Sequence, residues 1–139
     1  MAIVIALDFD GTLVEHAWPD IGKDIGAFKH LIWLQQELKV KYILWTVRSD
    51  RPLQCAIWHC WGHGLKFWGI NRNPTQHTWS TSPKAHADIF VDDAALGTPL
   101  IWSAPGIRPY VDWDIMNTML YNHVQFLESN KPKYYKRGK

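Results

Sequence analysis

Cysteine is scarce in this sequence. The two present, Cys55 and Cys60, are too few for a disulfide scaffold. Both fall in one helical-looking segment, a usage that suits a reducing compartment. No apolar run approaches the roughly 18 residues that a membrane span requires. The opening run, Ala2 to Leu7, stops at Asp8 with no basic stretch before it, so it is not expected to act as a secretory leader. A Walker-type glycine loop is also missing, which argues against P-loop chemistry on nucleoside triphosphates. Neither sign of charge dominates: 15 basic and 13 acidic residues leave a net +2. These absences lead to the expectation of a cytoplasmic protein without membrane contact.

What is present suits one globular domain. A chain of 139 residues, 47% apolar and 20% charged, can bury a core without disulfides or a structural metal. Its charge is unevenly spread. Residues 131–139 carry five basic groups (Lys131, Lys133, Lys136, Arg137 and Lys139) and no acid, whereas residues 1–130 hold ten basic and thirteen acidic groups, a net of −3. The boundary is therefore set at 130, with a catalytic-sized domain followed by a basic, flexible, solubilising tail. Such a tail can touch phosphates, but an acidic body is not a general nucleic-acid-binding surface.

Apolar runs and breakers alternate along the domain. Ile3–Leu7, Tyr42–Thr46, Lys66–Ile70 and Ala87–Val91 read as strands, and Leu100–Trp102 as a short fifth. Continuous β-branched runs mark strands buried on both faces of a parallel sheet. Helical spacing predicts helices over about 23–39, from Arg51-Pro52 to Gly62 or Gly64, and after an Asp112 N-cap. Residues 71–83, polar and broken by prolines, read as a loop. The expected fold is α/β: a Rossmann-like parallel sheet of about five strands with helices on both faces.

Polar residues sit where such sheets bind ligands. Asp8, Asp10, Thr46, Asp92 and Asp93 all follow the C-terminal ends of buried runs. Carboxylates gathered at one edge repel unless a cation or shared proton intervenes. Four of them suggest a hard divalent ion bound through oxygen, most simply Mg²⁺, with Asp8, Asp10, Asp92 and Asp93 as the metal set.

Asp8-Phe-Asp-Gly-Thr-Leu13 resembles the first motif of the haloacid dehalogenase superfamily, most of whose members are Mg²⁺-dependent phosphohydrolases. Thr46 at the end of Ile43-Leu-Trp-Thr46 resembles its second motif, Lys84 its third, and Asp92-Asp93 after Ile89-Phe-Val91 its fourth. The four occur in family order across residues 3–93. The resemblance implies that Asp8 is the nucleophile, forming an aspartyl-phosphate, and that Asp10 is the general acid and base. It implies Mg²⁺ held by Asp8, the Asp10 carbonyl and Asp92, with Asp93 assisting, and phosphate held by Thr46 and Lys84. Lys84 precedes Asp92 by only eight residues, a shorter gap than in many relatives. Arg48, two residues after Thr46, is either an added phosphate contact or a solvated loop charge. Val14–Gly22 and Asn71–Pro83 are too short to hold a cap domain, so the chain resembles the capless members. His16 and Trp18 then fall on a short flap over the site.

The implied activity is phosphomonoester hydrolysis on a small metabolite such as a sugar phosphate or nucleotide. A phosphorylated nucleic-acid end is the alternative substrate, and a non-catalytic interaction protein on the same fold is the rival class. A phospho-accepting receiver would place its acidic pair first and its lysine last, the reverse of the order here. Cys55, His59 and His63 recur at helical spacing, but three ligands without a fourth read as ordinary helix residues rather than a zinc site. Of nine tryptophans, Trp33 and Trp45 read as core. Trp58, Trp61, Trp68, Trp79, Trp102 and Trp113 include candidates for an exposed homo-oligomer surface.

Overall fold

The computed structural model describes residues 2–102 and 105–134. Its central feature is a parallel sheet of four strands: β1 (Val4–Leu7), β2 (Lys41–Leu44), β3 (Gly69–Ile70) and β4 (Ile89–Val91), in the order β3-β2-β1-β4. The helices are α1 (Phe28–Glu37), α2 (Asp50–Gly62) and α3 (Trp113–Tyr134). The expected fifth strand exists but does not join this sheet. β5 (Leu100–Ile101) pairs antiparallel with β6 (Tyr110–Val111) in a separate ribbon.

A second correction concerns the layers. Successive strand residues point to opposite faces, and the two faces of β1 are covered differently. Ile3, Ile5 and Leu7 pack into one cluster with Phe28, Leu31 and Leu34 of α1, Ala56 and Cys60 of α2, and Met116, Leu120 and Val124 of α3. Val4, Ala6 and Ile43 form a smaller cluster with Trp45, Trp68 and Ala87, to which no helix contributes. The buried side chains of all three helices thus lie on one face of the sheet. Moving from β1 to β2 to β3 keeps the same direction across the sheet, so right-handed crossovers place α1 and α2 on the same side. The return from β3 to β4, which would cover the other side, is a loop with a single 3₁₀ turn over Gln76–Thr78. The Gln76 side chain organises it, donating to the Ser82 and Lys84 carbonyls and accepting from the His86 N–H.

The first helix is shorter than its apolar spacing suggests. Residues 23–27 stay outside it, and Asp24 instead bridges Val14, which also bridges Asp10. Asp112 accepts from the Asp114 N–H at 3.0 Å, as an N-cap does. α3 continues to Tyr134, so Lys131 and Lys133 fall within a helix. Lys136, Arg137 and Lys139 lie outside the described residues. Trp33 is half-exposed rather than core, whereas Trp113 is buried. Trp18, Trp58, Trp61, Trp79 and Trp102 are exposed. Among the described residues no helix is long and apolar enough to cross a membrane.

Candidate functional site

Parallel register brings the acidic residues level. Leu7 lies opposite both Leu44 and Val91, so Asp8 and Asp92 leave the sheet side by side. The Asp8 N–H donates to the Val91 carbonyl at 3.0 Å. The carboxylates of Asp8, Asp92 and Asp93 then come together, with one oxygen from each lying within 4.8 Å of the others. Three converging carboxylates match the oxygen donor set of a hard divalent cation, so the cluster fits the ion the sequence points to. Burial, the hydrogen bond to Asp93 and the charge of Asp92 push the Asp8 carboxyl up to about 8, against a smaller lowering by Thr12. Burial also raises Asp92.

Thr12, fully buried, ties the cluster together. Its hydroxyl lies 3.0 Å from an Asp8 oxygen, where it donates, and accepts from the Asp93 N–H at 3.0 Å. The chain end supports this loop from behind: the Val111 N–H donates to the Gly11 carbonyl at 2.9 Å, and the Trp113 indole N–H to the Thr12 carbonyl at 2.7 Å. Nothing in the local sequence of residues 110–113 signals that duty.

Asp10 is not part of the cluster. Arg48 grips it from α2's approach, with Nε donating to Oδ2 at 2.8 Å and Nη2 to Oδ1 at 2.7 Å. The remaining Arg48 N–H groups donate to the carbonyls of Pro19, Asp20 and Pro52, and the guanidinium lies over the Phe9 ring. Arg48 is 2% exposed. All five donors of a guanidinium are therefore used, and neither expectation for this residue holds: it is not a solvated charge, and it has no donor left for phosphate. It orients Asp10 and fastens residues 19–20 to the start of α2.

Lys84 is also placed differently. Phe90 projects to the sheet face opposite Ile89 and Val91, and the Lys84 ammonium sits 5.9 Å from the Phe90 ring centre. The short gap to Asp92 keeps this lysine along the side of the sheet, and it does not line the cleft at the strand ends. Among the described residues the guanidinium that does is that of Arg108, beside Asp8, Asp10, His16, Trp18, Asp92 and Asp93 in a cleft of about 620 Å³. Sequence reasoning missed Arg108 because it lies in an irregular loop far beyond the matched motifs. Thr46 is near the edge, with its N–H held by Asn71 at 2.8 Å and its hydroxyl accepting from the Arg48 N–H at 3.1 Å. His16 reaches Asp93 through Nε2 at 2.8 Å, which makes the flap part of the site.

Gly11 makes the turn possible. Its φ is +78°, and an added Cβ would collide with the His16 ring and the Asp93 carboxylate. Gly11→Ala is expected to cost about 1–2 kcal/mol from backbone strain alone, and to push His16 off Asp93. Thermal unfolding reads the first effect; the His16 imidazole chemical shifts read the second.

No family model and no curated protein matches the chain. A solved structure of a conserved protein from Bacteroides thetaiotaomicron is similar, at 40% sequence identity and a TM-score of 0.70, over 88% of this chain and 93% of that one.

Proposed function

The chain belongs to the family of that conserved Bacteroides thetaiotaomicron protein, and we propose that it is a Mg²⁺-dependent phosphomonoesterase of the haloacid dehalogenase type, working through Asp8. The observation that carries this reading is the joint placement of Asp8, Asp92 and Asp93 at the strand ends with Asp10 held beside the same cleft. Asp8, Asp92 and the Asp10 carbonyl would hold Mg²⁺, with Asp93 assisting. When bound, the ion supplies charge that lets an anionic nucleophile meet an anionic phosphate.

The chain's own residues do the rest. An Asp8 oxygen attacks phosphorus in line, forming the aspartyl-phosphate while the leaving oxygen departs. Asp10 gives that oxygen its proton and later takes one from the hydrolytic water. Each Asp10 oxygen accepts one bond from Arg48 and keeps a further lone pair for this exchange. Arg108 takes the phosphate-binding role that the motif pattern gives to Lys84, and Thr46, which follows β2 beside the cleft but does not line it, would contribute from its border. The cleft suits a small phosphorylated metabolite, such as a sugar phosphate or nucleotide.

Phosphate release from a panel of phosphomonoesters, including phosphorylated oligonucleotide ends, tests the reading. Release with Mg²⁺ that stops with EDTA supports it, and the best substrate chooses between metabolite and nucleic-acid end. No release from any member, with Mg²⁺ bound, supports the non-catalytic interaction protein instead. Arg108→Ala is expected to raise KM about tenfold with kcat little changed, since one charge-assisted contact contributes on the order of 1.4 kcal/mol. Steady-state kinetics on the best substrate checks this.

A further inference from the structure

Away from the carboxylate cluster, two histidines of α2 meet an acid from a distant segment. His59 and His63 are four residues apart, so their side chains lie on one helical face. Between them sits Asp24, which is 35 residues before His59. His59 Nε2 lies 2.7 Å from one Asp24 oxygen, and His63 Nε2 lies 2.8 Å from the other. We infer that Asp24, His59 and His63 form a second metal site, one that takes a borderline transition ion such as Zn²⁺ rather than Mg²⁺.

The geometry goes beyond a pair of surface ion pairs. Both imidazoles present the same nitrogen, Nε2, to one carboxylate, and the three ligand atoms lie within 4.8 Å of one another. Two nitrogens and an oxygen are the donor types of three-ligand zinc sites, whose fourth position is filled by water. The side chains are 26%, 36% and 40% exposed for His59, His63 and Asp24, so a water can reach that position. Imidazole ligands favour zinc over magnesium, which prefers an all-oxygen set.

The rings are also held in place. Phe28 stacks on His63, with centroids 4.1 Å apart and planes 3° from parallel, and meets His59 edge-on at 5.7 Å. Phe9 meets His59 edge-on from the core side. The two histidines, fixed by core aromatics, would exchange one hydrogen bond (His59 to Asp24) and one close ion-pair contact (His63 to Asp24) for the ion. Binding an ion through Nε2 leaves Nδ1 as the ring nitrogen that carries a proton. Cys55, one turn earlier, is not part of the group.

The site has a place in the fold. Asp24 pairs through its backbone with Val14, and Val14 pairs with Asp10. An ion here clamps α2 to the base of the segment that carries His16 and Trp18 over the cleft.

Zinc titrated calorimetrically into the full chain, with Mg²⁺ at millimolar excess, tests the inference, with Co²⁺ absorption as the second readout. One equivalent of Zn²⁺ is expected to bind, with a tetrahedral Co²⁺ spectrum. Affinity should fall by about 100-fold or more in His63→Gln, since losing a direct ligand exceeds the roughly 10–100-fold that loss of a supporting partner costs, and stay unchanged in Asp92→Asn. His63 is the more exposed histidine, and because it stacks on the core ring of Phe28, an unchanged melting curve of His63→Gln shows that the fold is kept. Absence of zinc binding, or binding indifferent to His63→Gln, overturns the inference. So does binding lost in Asp92→Asn, which would place the ion at the carboxylate cluster.

Discussion

Arg48→Lys is expected to unfold about 10 °C below the parent protein and to lose most activity, although the charge is kept. Lysine offers a point charge with three donors, whereas the site uses all five donors of a planar fork. Asp10 would lose its two-bonded partner, and the carbonyls of Pro19, Asp20 and Pro52 would lose theirs. Five donors give way to three, and each buried acceptor left unpaired costs about 1–3 kcal/mol; a net loss of about 3 kcal/mol is, for a domain of this size, roughly 10 °C. The Asp10 side chain is itself 15% exposed, so the lower end of that range applies to its oxygens. Calorimetric unfolding and kcat, measured on the same preparation, check both parts. A variant as stable and active as the parent would mean that residues 19–20 and Asp10 are positioned by something else.

Asp8→Asn is expected to act in opposite directions on activity and stability. On the proposed mechanism, loss of the Asp8 nucleophile should lower kcat by roughly four orders of magnitude or more. The metal-free protein, however, should become more stable near neutral pH. Asp8 has an ordinary carboxyl value of 3.8 when unfolded and about 8 when folded. Its contribution is therefore fully present below about pH 4 and is lost as pH rises through 8, because ionising the folded group is disfavoured. Asparagine has no such dependence, so the stability gain of Asp8→Asn should grow between pH 5 and pH 8. Mg²⁺ should stabilise the parent in the same window by compensating the ionised cluster. Melting curves across that range, with and without Mg²⁺, check the sign. A gain that shrinks as pH rises would contradict the assigned cluster.

Much of the site's frame was legible along the chain. Buried runs ending in Asp8, Thr46 and Asp92 identify strand ends, and parallel pairing places such ends at one edge, as the register confirms for β1, β2 and β4. Side-chain destinations were less legible. The partners of Arg48 come from three segments, and no local pattern around residue 48 reveals that they converge. Lys84 matches its motif in order, yet strand alternation and the eight-residue gap carry it to the side of the sheet. The one-sided placement of the helices was implicit in the loop over 71–83, since without a helix there the second face has nothing helical to cover it. The histidine pair on α2 was visible as a stripe, but its third partner, Asp24, was not.

The central claim is that Asp8 itself receives the phosphoryl group. Brief incubation with para-nitrophenyl phosphate and Mg²⁺, followed by acid quench and peptide mass spectrometry, measures this directly. The account predicts a phosphoryl group on the peptide containing Asp8, at that residue, converted by hydroxylamine to the hydroxamate and missing in Asp8→Asn. Steady release of nitrophenol with Asp8 unmodified at every quench time, and with turnover surviving in Asp8→Asn, would contradict it.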